Sequence, residues 1–201
     1  MFGRAGRVLL AWCALTVTAA APADEAGVRV PPFERVQLAN GTVLLLMERH
    51  DVPLIAFQAL IRGGAMVDPE DRSGMASLLA AMLEKGAGER DAFGFADAVA
   101  AVGGSIQARA RTESLVVSGS FLARDQALMV ELLADMLQRP LLERDQFEAL
   151  RARHIDFIRA AKESSLGSLA AVYGARALFG SHGYGHRVIG SEVGLAAIAH
   201  E

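Results

Sequence analysis

The chain has 201 residues, 20 basic and 23 acidic side chains, and a formal net charge of −3; 52% of it is hydrophobic and 21% charged. That length suits one domain, or one part of a larger protein, with ample material for a core. No basic run and no aromatic–basic stripe occurs, so nothing in the balance points to nucleic acid.

The first segment reads as a targeting signal. Arg4 and Arg7 precede an apolar and small-residue run from Val8 to Ala20, and Ala21-Pro22-Ala23 offers a small-x-small cleavage site before Asp24. This pattern predicts a secretory signal peptide over residues 1–23, hence an exported and most simply periplasmic protein. The run is short of the ~20 apolar residues that span a bilayer. The only Cys, Cys13, and the only Trp, Trp12, both lie inside it. The bulky Trp12 and the short run before it argue against a lipoprotein-type cleavage at Cys13. The mature chain then has no thiol, disulfide or cysteine metal ligand, and a core must hold the fold in an oxidising compartment.

Residues 24–32 form an extended lead-in that ends at Pro31-Pro32. Phe33 to Leu38 and Thr42 to Met47 flank Asn40-Gly41 and predict a hairpin whose two turn residues both take positive φ. Leu54 to Ile61 is a nearly continuous apolar run, the mark of a strand buried on both faces. Gly63-Gly64 ends it, and Ser73 is the expected cap of a helix carrying Met75, Leu78, Leu79 and Met82. Gly86 and Gly88 stop that helix. A second helix is predicted from Arg90 to Val102, with Phe95, Val99 and Val102 on one side and Gly103-Gly104 closing it. Alternation at Ile106, Ala108 and Ala110, and again at Leu115, Val117, Gly119 and Phe121, predicts an antiparallel strand pair with a bend near Thr112-Glu113. Helical stretches follow at Asp125 to Gln138, Arg144 to Lys162 and Leu166 to Phe179. A glycine-rich loop from Gly180 to Gly190 leads to a short helix near Ser191. This order predicts an α+β fold: a mixed, mainly antiparallel sheet covered by helices.

Four stretches carry a resemblance. They are Arg62-Gly63-Gly64 with Asp68 and Ser73-Gly74-Met75-Ala76; Met82-Leu83-Glu84-Lys85-Gly86; Ala134-Asp135-Met136-Leu137-Gln138-Arg139-Pro140; and Gly180-Ser181-His182-Gly183-Tyr184-Gly185 with Gly190. In this order they resemble the N-terminal domain of the pitrilysin/insulinase family of zinc metalloendopeptidases, from about Phe33 onward, with Gly183 where the family has Pro. The resemblance implies that a final helix and a strand should follow Glu201 to complete the domain.

Active members of that family carry His-x-x-Glu-His on the helix after the Gly-x-Ala run. Two His ligands hold zinc, and the Glu activates its water. The matching positions here are Ser77 and Ala81 for the two His and Ala80 for the Glu. Counting back from Glu163-Ser164-Ser165-Leu166 places the third ligand at Ile158, and its neighbours Phe157 and Arg159 are not ligands either. No catalytic residue and no zinc are therefore expected in this chain. Phe147, Leu150, Phe157, Ile158 and Ala161 share a helical face, and Ile158 against Ala80 and Ala81 is expected to fill the vacated pocket with apolar side chains.

Five histidines remain. His154 lies on the long helix and is read as a hydrogen-bonded core residue, with a re-wired zinc site as the alternative. His182 and His186 fall in the glycine-rich loop, His182 in a structural role. His50 and His200 are read as solvated, and Glu84 as a surface residue of the helix end. No Gly-x-Ser-x-Gly elbow or phosphate loop is present.

In the family a peptide adds as a strand to a sheet edge. The resemblance gives that role to Ser105, Ile106, Gln107 and Ala108. It also implies a non-catalytic subunit that pairs with an active, zinc-bearing peptidase of the family around a peptide-binding chamber. The alternatives are a zinc metalloendopeptidase with a non-standard site and a scaffold subunit with no proteolytic role.

Overall fold

A computed structural model describes residues 31–200 except 165. The signal segment and most of the lead-in lie outside the described residues. The chain divides at His50 into two units.

The first unit contains the hairpin. Strand β1 (Glu34–Gln37) pairs antiparallel with β2 (Val43–Leu46), from Glu34↔Leu46 to Gln37↔Val43. The turn differs from the expected two-residue type. Leu38 N donates to Thr42 O at 2.8 Å, enclosing three residues, and Gly41 alone has positive φ (85°). Asn40 contributes its side chain: Oδ1 accepts from Thr42 N at 3.0 Å. An Asx bond of this kind stabilises a loop without requiring Asn in the left-handed region.

The second unit holds a three-stranded antiparallel sheet of order β3-β7-β6, from β3 (Leu54–Arg62), β6 (Ser105–Ala110) and β7 (Ser114–Leu122). Central β7 buries Leu115, Val116, Val117 and Phe121. Strand β3 is not buried on both faces as its apolar run suggested. Ile55, Phe57 and Ala59 pack on the core, whereas Leu54 and Leu60 are exposed at 52% and 63%. It is an antiparallel strand with one covered face, and its outward residues are apolar without being buried. A two-residue ladder, β4 (Gly86–Ala87) with β5 (Arg90–Asp91), precedes the second helix.

Six α-helices are described: α1 (Met75–Leu83), α2 (Ala92–Ala101), α3 (Gln126–Gln138), α4 (Arg144–Ser164), α5 (Leu166–Phe179) and α6 (Glu192–Ala197). Helix α2 starts two residues later than predicted. Asp91 caps it by accepting from Gly94 N at 2.7 Å, which puts Arg90 and Asp91 in β5.

Helix α1 lies between two cores, which explains its lack of a charged face. Ala80 and Leu83 join Phe95 and Val99 of α2, Met129, Leu132 and Met136 of α3, and the inner residues of the sheet. Leu78 and Met82 instead join Phe147, Leu150 and Ile158 of α4 and Leu195 of α6. Helices α4 and α6 are clasped by Arg159 Nε to Glu192 at 3.1 Å, by Lys162 to the same carboxylate, and by Arg151 Nη1 to Ile198 O at 2.7 Å. No described helix is long and apolar enough to cross a membrane.

Candidate functional site

Helix α1 is launched by a residue outside it. Gly74, at φ 104°, occupies the cap position and makes no side-chain cap bond. The Ser73 hydroxyl, expected to cap, instead donates to Ser191 Oγ at 3.2 Å. The buried carboxylate of Asp68 does the capping: Oδ2 accepts from Gly74 N at 2.8 Å and Oδ1 from Ala76 N at 3.0 Å. An anion here meets both the unpaired amides and the positive end of the helix. The Asp…Gly-x-Ala spacing noted in the sequence is thus a remote cap that fixes where the next turn of α1 points.

That turn carries Ser77, Ala80 and Ala81, and all three line a cleft of about 430 Å³. Glu84 and Lys85 from the end of α1 complete one wall. Ala108, Arg109 and Ala110 of β6 form a second wall, and Leu150, Arg153 and His154 of α4 a third. Ile158 is not among these residues. It is fully buried in the second core, with Leu78, Met82, Leu150 and Leu195, and Ala81 packs against that core from its edge. The expected filling of the pocket by Ile158 against Ala80 is therefore corrected: Ala80 belongs to the sheet-side core, and the space in front of it is open and charged. Phe157, assigned to the same apolar face, is 60% exposed.

Glu84 is the residue that sequence reasoning missed. It is half-buried, and its Oε1 accepts the Ala108 amide at 2.7 Å. Among the described residues strand β6 has β7 on one side only, so this carboxylate caps a main-chain donor of the sheet's outer strand. Ser105, Ile106, Gln107 and Ala108 lie in this outer strand of the described sheet. Ser105 and Gln107 make side-chain bonds to Ser120 and Ser118 of β7, at 3.1 Å and 3.4 Å.

The histidines divide. His154 is half-buried beside the cleft, with Nδ1 2.9 Å from Leu150 O. A carbonyl only accepts, so Nδ1 carries the proton and Nε2 is the free ring nitrogen of the neutral form. His182 Nδ1 accepts from Tyr184 N at 3.2 Å and so shapes its own loop. His186 is half-buried, and both its ring nitrogens are without a hydrogen-bond partner among the described residues. His50 is exposed, 3.6 Å from Glu48. His200 is not simply solvated: its ring stacks edge-on against Phe147 at 5.3 Å, and Nε2 lies 2.5 Å from Leu142 O.

Zinc requires three protein donors with a water, or four protein donors. Of the residues expected at the family positions, Ser77 offers a hydroxyl, Ala80 and Ala81 offer methyl groups, and Ile158 offers no donor. Of the other lining groups, Glu84 holds an amide and His154 Nδ1 holds a carbonyl. Among the described residues no three His, Cys, Asp or Glu side chains are grouped to hold a metal ion. This lining does not fit zinc.

The remaining motifs resolve into packing. Asp135 is buried and pairs with Arg139 at 2.5 Å and Arg90 at 3.6 Å. Its hydrogen bond to Arg139, and then its charge, push that guanidinium's pKa up. Gly88 (φ 61°) lies so close that an added Cβ would stand 2.3 Å from the Asp135 carboxylate. In the glycine-rich loop the Tyr184 hydroxyl donates to Glu113, which raises the tyrosine pKa.

A three-stranded antiparallel sheet, a helix between two cores and a cleft beside that helix define a helix-covered α+β domain. The profile of the insulinase family (peptidase family M16) matches residues 46–172, more than half of the chain, and the chain belongs to that family. Solved structures agree. An inactive domain of peptidase M16 from Pseudomonas fluorescens superposes with TM-score 0.78 at 21% identity, over 83% of this chain and 40% of that one. A protease from Helicobacter pylori gives 0.75 at 20% identity, over 85% and 41%. Pitrilysin gives 0.69 at 22% identity, over 82% and 18%. The chain thus spans less than half the length of each, and identities this low speak for the fold alone. No curated protein sequence matches the chain.

Proposed function

We propose that this chain is part of a non-catalytic insulinase-family subunit that pairs with an active zinc peptidase of the same family. Together the two would enclose a peptide-binding chamber, in the compartment reached through the N-terminal signal, most simply the periplasm. One reading of the sequence carries the proposal: the positions matched to both His, the general base and the third ligand are Ser77, Ala81, Ala80 and Ile158. Losing one ligand weakens a site; losing all four removes the chemistry, since neither a Lewis acid nor an activated water can be held. A fold retained after such a loss can still present the edge strand β6 to a peptide.

The test is to purify the full-length protein alone and with a family member that keeps His-x-x-Glu-His, then measure zinc content and cleavage of a quenched fluorescent peptide. The expected result is no cleavage alone and altered cleavage by the partner when this subunit is added. Stoichiometric zinc with cleavage by the isolated protein would refute the proposal. A re-wired zinc site is the second reading, favoured only by the position of His154 on the cleft. It requires metal binding that His154→Ala abolishes.

A further inference from the structure

The cleft carries a charge that the rest of the chain does not share. The whole sequence has a net charge of −3, yet the charged lining is Lys85, Arg109 and Arg153 against the single carboxylate of Glu84. That carboxylate is already engaged by the Ala108 amide at 2.7 Å. Arg109 reaches only the neutral Gln107, at 2.9 Å. The Lys85 and Arg153 side chains make no hydrogen bond or ion pair with a described residue. Arg151 and Arg159, on the same helix as Arg153, do have carboxylate partners, in Glu148 and Glu192. Cations without an acid therefore gather at the cleft. His154 adds a free Nε2, and the small side chains of Ala80, Ala81, Ala108 and Ala110 leave room between them. Lys85 is half-buried and Arg109 and Arg153 are exposed, so all three can reach an anion in the cleft, and the guanidinium fork matches a carboxylate.

We propose that this cleft binds the carboxylate of a peptide lying along β6. The inference rests on the peptide-binding reading above and names the chemistry that the groove selects. A free peptide C-terminus and an Asp or Glu side chain both supply that chemistry. Lys85 and Arg153 hold the anion, and Glu84 weakens the site by its own charge while keeping the Ala108 amide satisfied.

The experiment measures fluorescence anisotropy of three labelled peptides of one apolar sequence on the full-length protein. One has a free C-terminus, one a C-terminal amide, and one the amide with a single internal Glu. The expected result is that a carboxylate-bearing peptide binds about tenfold or more tightly than the plain amide. Which peptide gains identifies the source of the anion. The preference should collapse in the double variant Lys85→Gln, Arg153→Gln. Glu84→Gln, which keeps an acceptor for the Ala108 amide, should strengthen it. Equal binding of all three peptides, or a preference that survives the double variant, overturns the carboxylate inference while the peptide groove stands. Absence of binding by any peptide overturns both.

Discussion

Ile158, expected from the sequence to match the family's third zinc-ligand position, has no access to solvent. Its neighbours Leu78, Met82, Leu150 and Leu195 are apolar, so a carboxylate there would be desolvated without a partner. Ile158→Glu should cost several kcal/mol, whereas Ile158→Val should cost about 0.5–1.5 kcal/mol. Urea unfolding of the two variants measures both, and equal midpoints would contradict the assigned burial. Asp68 is the second residue on which the site depends. Asp68→Ala removes a charged acceptor from the Gly74 and Ala76 amides and should cost about 1.5–3 kcal/mol. Asp68→Asn, with one carbonyl oxygen left, should fall between that variant and the parent chain in the same assay.

At the scale of elements, α3, α4 and α5 were legible to within about two residues, α3 and α4 because each is an uninterrupted amphipathic run. The errors have physical causes. Strand β3 reads as fully buried because its outward residues Leu54 and Leu60 are as apolar as its inward ones. The start of α1 reads as a Ser73 cap because the residue that caps it, Asp68, reaches it across a loop. The vacated motif was legible position by position, but the cleft was not. Its other walls come from β6 and α4, and no local pattern in α1 announces that Glu84 will reach β6.

Gly88, Glu192 and Tyr184 each yield a prediction. Gly88→Ala places a methyl against the Asp135 carboxylate at a positive φ, so it should lower the thermal midpoint by several degrees. The Glu192 clasp gives a pH dependence. Its hydrogen bond to Lys162, and then its contacts with Arg159, hold the carboxyl below its ordinary value of 4.5. A carboxyl depressed in the folded state stabilises fully above that value and loses its effect as pH falls through the lower folded value. Hydrogen exchange in α6 should therefore accelerate below about pH 4.5, after correction for the intrinsic rate, and Glu192→Gln should remove that dependence. Tyr184 has the opposite sign. Its pKa is raised above 10.0 by Glu113, so its tether is intact below that value and is lost as pH rises through the folded one.

For the whole molecule, family membership and fold follow from the sequence match and the superpositions, while the function turns on what the cleft can hold. The fold is held by groups outside the motif positions: Asp68 under α1, Asp135 between Arg90 and Arg139, and His182 within its own loop. None of these depends on a metal, so the domain should fold with or without zinc, and a chelator should leave its thermal midpoint unchanged. Metal analysis of the purified full-length protein tests the central claim most directly. The account predicts well under one zinc per chain after exposure to excess zinc and desalting, with His154→Ala making no difference. One tightly held zinc per chain, lost in His154→Ala, would contradict it.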